Sequence, residues 1–492
     1  MDMAHPRAPR RILWLLPLVV LLALGVYAVR ARRRPAGLTP SSRQVARVRA
    51  AARGANVVLI VLDAARADHV GCYGYQRTTS PNLDRLAREG FVFRNHFTQF
   101  VETKPSTASL FTSQYPDTHC AYEERMLSQG TFTLAQGLRE AGYHTALFSQ
   151  NGYASPMWGL GLEFHEAVYE PQLKAAGRQA PYLWQPEALL EQIGPWLERH
   201  PPEPFFAYIH FMPPHDPYIS PLEMYYRFYE KKPPQAWRSP YPFEEVEREV
   251  RKKEQPWDQD LYLNRYDSNL LYADWAVGQL EQMLRDSGLL EKTLLIVTSD
   301  HGEAFGEHGY RGHVTSAYDE NTRIPLLLRF PGEKAPFGTI IGLSQTIDLL
   351  PTLYDLLRIA LPKEGIQGRS LLPLLAGDTE EVNDYVFCRT AGAPPSYAVR
   401  NHQYLLLLYQ GGTLRSLYDV EADPHAVTNI ADKQPQVVAE MTEVFRAFAR
   451  RQVAPPRDFA DAGVAPAKLP ETERVKLTED MKRSLKALGY LK

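Results

Sequence analysis

Asn56 to Leu62 is a run of seven residues without a charge (Asn-Val-Val-Leu-Ile-Val-Leu), and it ends on Asp63. Continuous β-branched and aliphatic runs of this length mark strands covered on both faces. Phe205 to Phe211 and Thr293 to Thr298 repeat the pattern, and His144 to Phe148 is a shorter version. Helical spacing lies between them. Pro81 to Gly90 places Leu83 and Leu86 on one face with Gly90 as a stop; Ser106 to Thr112, Thr133 to Ala141 and Leu270 to Ser287 are further helices. Strands alternating with helices predict an α/β fold, a doubly wound, mostly parallel central sheet with right-handed connections. Beyond Gln367-Gly368-Arg369 the segments shorten to strands Tyr397–Arg400 and Tyr404–Tyr409 and a closing helix from Gln434 to Arg451, which predicts a smaller C-terminal α+β subdomain.

Residues 217–258 are rich in proline, aromatics and charge and have no period. They read as a surface insertion, either a lid over a site or a solvated excursion. At the other extreme, Ile12 to Val29 is eighteen residues without a charge, flanked by Arg7, Arg10 and Arg11 and then by Arg30, Arg32, Arg33 and Arg34. That length just suffices to cross a bilayer. A cleaved signal peptide competes, with small residues near Ala28, but the arginines that follow oppose export, so an uncleaved single-pass anchor is expected. Arginines at both ends leave the orientation open by charge; an extracytoplasmic catalytic domain is the expectation. The chain thus divides into a basic N-terminus (1–11), a transmembrane helix (12–29), a tether (30–54), a catalytic domain (55–365), the C-terminal subdomain (366–455) and a charged tail (456–492).

Composition adds little to this and excludes more. With 492 residues, 44% hydrophobic and a net charge of -2, the chain carries no sustained basic stripe, and nucleic acid is not an expected partner. Cys72, Cys120 and Cys388 are too few and too far apart for a disulfide framework or a zinc cluster, and read as buried free thiols.

Candidate chemistry concentrates at Thr298-Ser299-Asp300-His301-Gly302-Glu303, where a buried strand delivers an adjacent carboxylate and imidazole to its carboxyl end. Open α/β sheets place their chemistry there, and the pair outlines a metal site. Asp63 ends another such strand. Further blocks stand in order: Asp63 to Tyr75, Thr78 to Leu86, Lys104-Pro105-Ser106-Thr107, Pro214-His215-Asp216-Pro217-Tyr218, Ser299 to Gly309, Arg323-Ile324-Pro325-Leu326 and Leu417-Tyr418-Asp419. On these blocks the chain resembles the sulfatase family of the alkaline phosphatase superfamily over roughly residues 55 to 432.

The resemblance implies a divalent cation held by Asp63, Asp300 and His301 beside a nucleophile at Thr103. It also implies His215 and His313 as groups that donate to the anion or protonate the leaving group. Lys104, Thr107 and Asn151 fall at substrate-binding positions, while Arg66 and Asp68 are expected to pair with each other, and His308 is expected to lie outside the site. The cation would be calcium if the site is sulfatase-like, zinc or manganese if it follows the transferases and phosphodiesterases of the superfamily. The partner would be an anionic ester, whether glycan, lipid head group or small molecule.

The departures from the family pattern carry mechanistic content. Sulfatases place Cys or Ser, converted to formylglycine, two residues before the proline and Arg two residues after it; here those positions are Thr103 and Thr107. Threonine cannot become an aldehyde, so no formylglycine is expected. Its hydroxyl could instead form a covalent ester at phosphorus, similar to phosphoethanolamine and phosphoglycerol transferases and to phosphodiesterases. His313, where many sulfatases have lysine, and Asn151 in place of a lysine point the same way. The expected function is a membrane-anchored, metal-dependent hydrolase or transferase of sulfate or phosphate esters, with phosphorus favoured. The alternative is an inactive relative that binds an anionic ligand, motivated by Thr107 and by Ala64 in place of a second acid.

Overall fold

The computed structural model describes residues 42–161, 163–169, 172–173, 184–218, 220–229, 259–332, 335–391, 395–409 and 414–453. The apolar span 12–29, most of the insertion and the charged tail lie outside them. Among the described residues, no helix is long and apolar enough to cross a membrane.

Ten of the strands are β1 (Asn56–Leu62), β2 (Phe91–Phe97), β3 (His144–Ser149), β4 (Glu166–Val168), β5 (Phe205–Phe211), β6 (Thr293–Ser299), β7 (Ala304–Phe305), β8 (Arg311–Gly312), β9 (Leu326–Arg329) and β10 (Gly338–Gln345). Eight form one sheet in the order β10-β2-β9-β6-β1-β5-β3-β4, while β7 and β8 make a separate hairpin. All neighbours in the large sheet run parallel except β9, which is antiparallel to both β2 and β6. The sheet is therefore mixed but mostly parallel.

Every residue of β1 is buried because the strand feeds two cores. Val57, Leu59 and Val61 point into one, and Val58, Ile60 and Leu62 into the other. The first face is covered by helices α1 (Ser42–Ala52), α3 (Thr103–Thr112), α4 (Leu134–Glu140) and α7 (Leu349–Leu357), the second by α2 (Pro81–Glu89), α5 (Glu187–Glu198) and α6 (Gln259–Asp286). This is the doubly wound arrangement that the strand pattern predicts. Helix α1 occupies the second half of the stretch expected to be a tether. It buries Val48 and Ala52 in the first core, and Arg49 pairs with Asp355.

Strands β11 (Val386–Arg389), β12 (Tyr397–Arg400), β13 (Tyr404–Tyr409) and β14 (Leu414–Asp419) form the small C-terminal sheet, antiparallel throughout. One face buries Val399, Leu406, Leu408 and Leu417 beneath Met441 and Phe445 of helix α8 (Pro435–Ala449). The other places Ala398, Leu405 and Leu407 against Val101 and Tyr318 of the larger domain. All three cysteines are free; Cys120 and Cys388 are buried as expected, but Cys72 is only half-buried.

Candidate active site

Asp63 is the first residue past β1, and Asp300 and His301 are the first two past β6. The parallel register, which sets Leu62 opposite Ser299, brings the two aspartates side by side at one sheet edge. Thr103 opens α3, three residues earlier than the helical pattern indicates, and so lies at the positive end of a helix dipole. Ser106, one turn on, anchors that helix to the edge by donating to the Asp300 carbonyl at 2.6 Å.

Each proposed metal-binding side chain has one atom held by the protein and one left over. Asp63 Oδ2 accepts from Asn151 Nδ2 at 2.6 Å and from His210 Nε2 at 3.0 Å. Asp300 Oδ1 accepts from the backbone N–H groups of Ala64 at 3.1 Å and His301 at 2.9 Å. The other oxygens, Asp63 Oδ1 and Asp300 Oδ2, are buried without a hydrogen bond. His301 Nδ1 donates to the Gly302 carbonyl at 2.9 Å, which leaves Nε2 with its lone pair. That nitrogen lies 3.7 Å from Asp63 Oδ1, 3.6 Å from Asp300 Oδ2 and 3.4 Å from Thr103 Oγ1. Ligands bound at ~2.0–2.4 Å to one cation stand about this far apart. Two unpaired buried carboxylate oxygens are costly unless a cation joins them, so the residues present fit a divalent ion.

His210 was not apparent from the sequence. It is the lone imidazole of an otherwise aromatic and aliphatic β5, one position from the strand's carboxyl end and next to β1. Asp63, His210 and Asp300 bring one ligand atom each to within 4.8 Å of one another and form a candidate metal site. Within it, His210 Nδ1 accepts from the Tyr208 hydroxyl at 2.8 Å, so Nε2 carries the proton that Asp63 accepts. This assigns His210 to orienting Asp63 and leaves His301 to present the bare nitrogen.

The electrostatics agree. Burial pushes the Asp63 carboxyl up, but the field of His215 and the hydrogen bond from His210 hold it well below the usual carboxylate range. Burial together with neighbouring His313 lowers His301, as suits a neutral imidazole ligand, against the pull of Asp300 and Asp63. His215 is raised: burial opposes its charge, and Asp63 and Glu303 outweigh burial.

His215 and His313 join this cluster. Their ring centroids lie 6.2 and 4.4 Å from that of His301 and 5.0 Å from each other. Asn151 bridges the site: its Oδ1 accepts from the Tyr153 N–H at 2.9 Å, so Nδ2 faces Asp63 and reaches Thr103 Oγ1 at 3.3 Å. Thr107 is buried one turn beyond Thr103. Lys104 bonds to the Glu123 carbonyl and lies 3.9 Å over the Trp158 ring, and burial pushes its ammonium down to about 7. Arg66 pairs with Asp68 through two bonds of 3.0 and 2.8 Å and also with Glu307, as expected of a shaping ion pair. His308 stacks on Tyr318 at 3.7 Å.

Residues 55–359 match the family model "Sulfatase". The chain belongs to the sulfatase family. Residues 306–451 also match the model "N-sulphoglucosamine sulphohydrolase, C-terminal". A similar protein is the ulvan-active sulfatase of Formosa agariphila, 27% identical over an alignment of 412 residues that covers 77% of this chain and 77% of that protein. Among solved structures, the phosphonate monoester hydrolase of Agrobacterium radiobacter aligns at a TM-score of 0.65 and 20% identity, covering 81% of this chain and 96% of that one. BT4656, solved in complex with its substrate D-glucosamine-2-N,6-O-disulfate, aligns at 0.68 and 19% identity, covering 82% and 100%. At such identities the structures share the fold.

Proposed function

We propose that this sulfatase-family ester hydrolase acts on phosphoric esters through Thr103, with a covalent ester at phosphorus discharged by water or by an acceptor hydroxyl. The observation that carries the reading is the position of the Thr103 hydroxyl. It sits at a helix N-terminus, 3.4 Å from His301 Nε2, where the family's formylglycine would stand. A formylglycine hydrate releases sulfate by elimination through its second hydroxyl; a secondary alcohol has no such route and suits displacement at phosphorus. A divalent cation held by Asp63, Asp300 and His301 would withdraw charge from the ester and lower the pKa of a neighbouring hydroxyl. Two carboxylates and an imidazole suit manganese or zinc.

The protein's own groups supply the rest. Asn151 Nδ2 donates to Thr103 Oγ1, so the threonine's own proton points away from Asn151 and its oxygen is fixed for attack. His215, whose pKa is raised by Asp63 and Glu303 against the effect of burial, donates to a non-bridging oxygen. His313 protonates the departing oxygen. The sulfated glucosamine named with BT4656 and the ulvan named with the Formosa sulfatase support an anionic ester substrate. The span 12–29 would hold the catalytic domain at a membrane surface on the extracytoplasmic side.

A parallel panel tests this: aryl sulfate, aryl phosphate monoester and aryl phosphodiester, each with calcium, manganese or zinc. The diester with manganese or zinc is expected to be fastest, and Thr103→Ala is expected to remove at least ~10²-fold of its kcat. Preference for the sulfate, or full activity in Thr103→Ala, refutes the assignment. Absence of turnover on all three favours the binding-only relative suggested by Thr107 and Ala64.

A further inference from the structure

Glu303 is a buried carboxylate that no step above employs. It is 2% exposed, and its backbone is fixed on both sides: its N–H donates to the Glu320 carbonyl at 3.0 Å, and its carbonyl accepts from Arg66 Nη1 at 2.9 Å. The β7–β8 hairpin pairs Ala304 with Gly312 and Phe305 with Arg311. Continuing that register by one step sets Glu303 opposite His313. The side chains meet there, His313 Nδ1 donating to Glu303 Oε1 at 3.0 Å. Residues ten apart in sequence thus form a cross-strand pair at the mouth of the hairpin, with the His313 ring 4.4 Å from that of His301.

We propose that Glu303 is a positioning residue for His313, fixing the ring so that Nε2 is the nitrogen that faces the ester. This rests on the role of His313 in the proposed function. The step balances as follows. Thr103 Oγ1 gives up its proton to solvent water and bonds to phosphorus as the P–O bond to the leaving group breaks; the electron pair goes to the departing oxygen, which takes the proton from His313 Nε2. Neutral His313 remains with Nδ1–H still on Glu303. A carboxylate suits this place because it only accepts, so one orientation of the ring is favoured. The other groups around Glu303 include His215, His301, Asp216, Tyr218 and Tyr266. None of them shares the hairpin register.

The test uses the full-length protein with two aryl methyl phosphodiesters, one leaving as 4-nitrophenolate, which needs little protonation, and one as phenolate, which needs more. Glu303→Ala is expected to lower kcat on the phenyl ester by about 10²-fold, with a much smaller loss on the nitrophenyl ester and KM little changed. Glu303→Gln, which keeps an acceptor for Nδ1–H and nearly the same shape, is expected to recover part of that loss. In a His313→Ala background, Glu303→Ala should have no further effect. Equal losses on both esters, no advantage of Gln over Ala, or an additional loss in the His313→Ala background would each overturn the inference. If the wild type turns over neither ester, the proposed function itself fails, a result distinct from those three. Melting temperatures measured alongside separate a folding defect, and Glu303→Gln carries the test if Glu303→Ala does not fold.

Discussion

Asp300→Asn should change the sign of its effect on stability with the metal content of the buffer. Asp63 Oδ1 and Asp300 Oδ2 lie 3.7 and 3.6 Å from one nitrogen and are therefore at most about 7 Å apart, where two like charges at an effective dielectric of ~20 repel by at least about 2 kcal/mol. His215 and the N–H of His210 offset part of this, but the substitution removes the repulsion and places an amide donor beside Asp63. In a chelator the variant is expected to melt at or above the wild type. With a divalent ion at ~100 times its dissociation constant the wild type gains about 2.7 kcal/mol, a rise of roughly 3 °C for a chain of this size, while the variant, having lost a ligand oxygen, gains much less. Differential scanning fluorimetry with EDTA, calcium, manganese and zinc reads this directly. A wild-type melting temperature that none of the ions moves, or an equal rise in Asp300→Asn, would refute the metal site.

Two further outcomes follow from buried groups outside the site's chemistry. His119 accepts the Ala121 N–H through Nδ1 at 3.0 Å and contacts Ser109 Oγ through Nε2 at 3.0 Å. Burial pushes it down to about 3, as it does His96. With a folded pKa below the unfolded value of 6.5, its stabilisation is complete above pH 6.5 and is lost as the pH falls towards 3. Between those values the wild type should take up about one more proton on unfolding than His119→Asn, measured as a difference in the pH slope of the urea unfolding free energy; identical slopes would contradict this. Gly302→Ala should unfold readily and lose activity, because a Cβ there would meet the Glu320 carbonyl oxygen at 2.0 Å, and both Gly302 and Glu303 pair with that segment through their N–H groups. A variant as stable as the wild type would show that the segment can move.

Much of this was legible in the sequence, for physical reasons that also explain what was not. β1 and β6 announce themselves because strands buried on both faces must be apolar throughout, and their terminal acids mark the chemical edge of the sheet. β2 hides behind Arg94 and Asn95, β9 is four residues long, and α5 carries Pro195 within it; none gives an unbroken period. Thr103, Asp63, Asp300 and His301 are recognisable from short motifs, because local chain geometry places them at element ends. His210 and Glu303 act through partners that only the tertiary structure supplies: a neighbouring strand for one, the register of a two-rung hairpin for the other.

Rapid-quench mass spectrometry of the Thr103 peptide during turnover of an aryl phosphodiester tests the central claim most directly. The account predicts a phosphoryl or alkylphosphoryl adduct on Thr103 in the wild type, forming more slowly in His313→Ala, and none in Thr103→Ala. Steady turnover with the Thr103 peptide unmodified at every quench time, undiminished in Thr103→Ala, would contradict it.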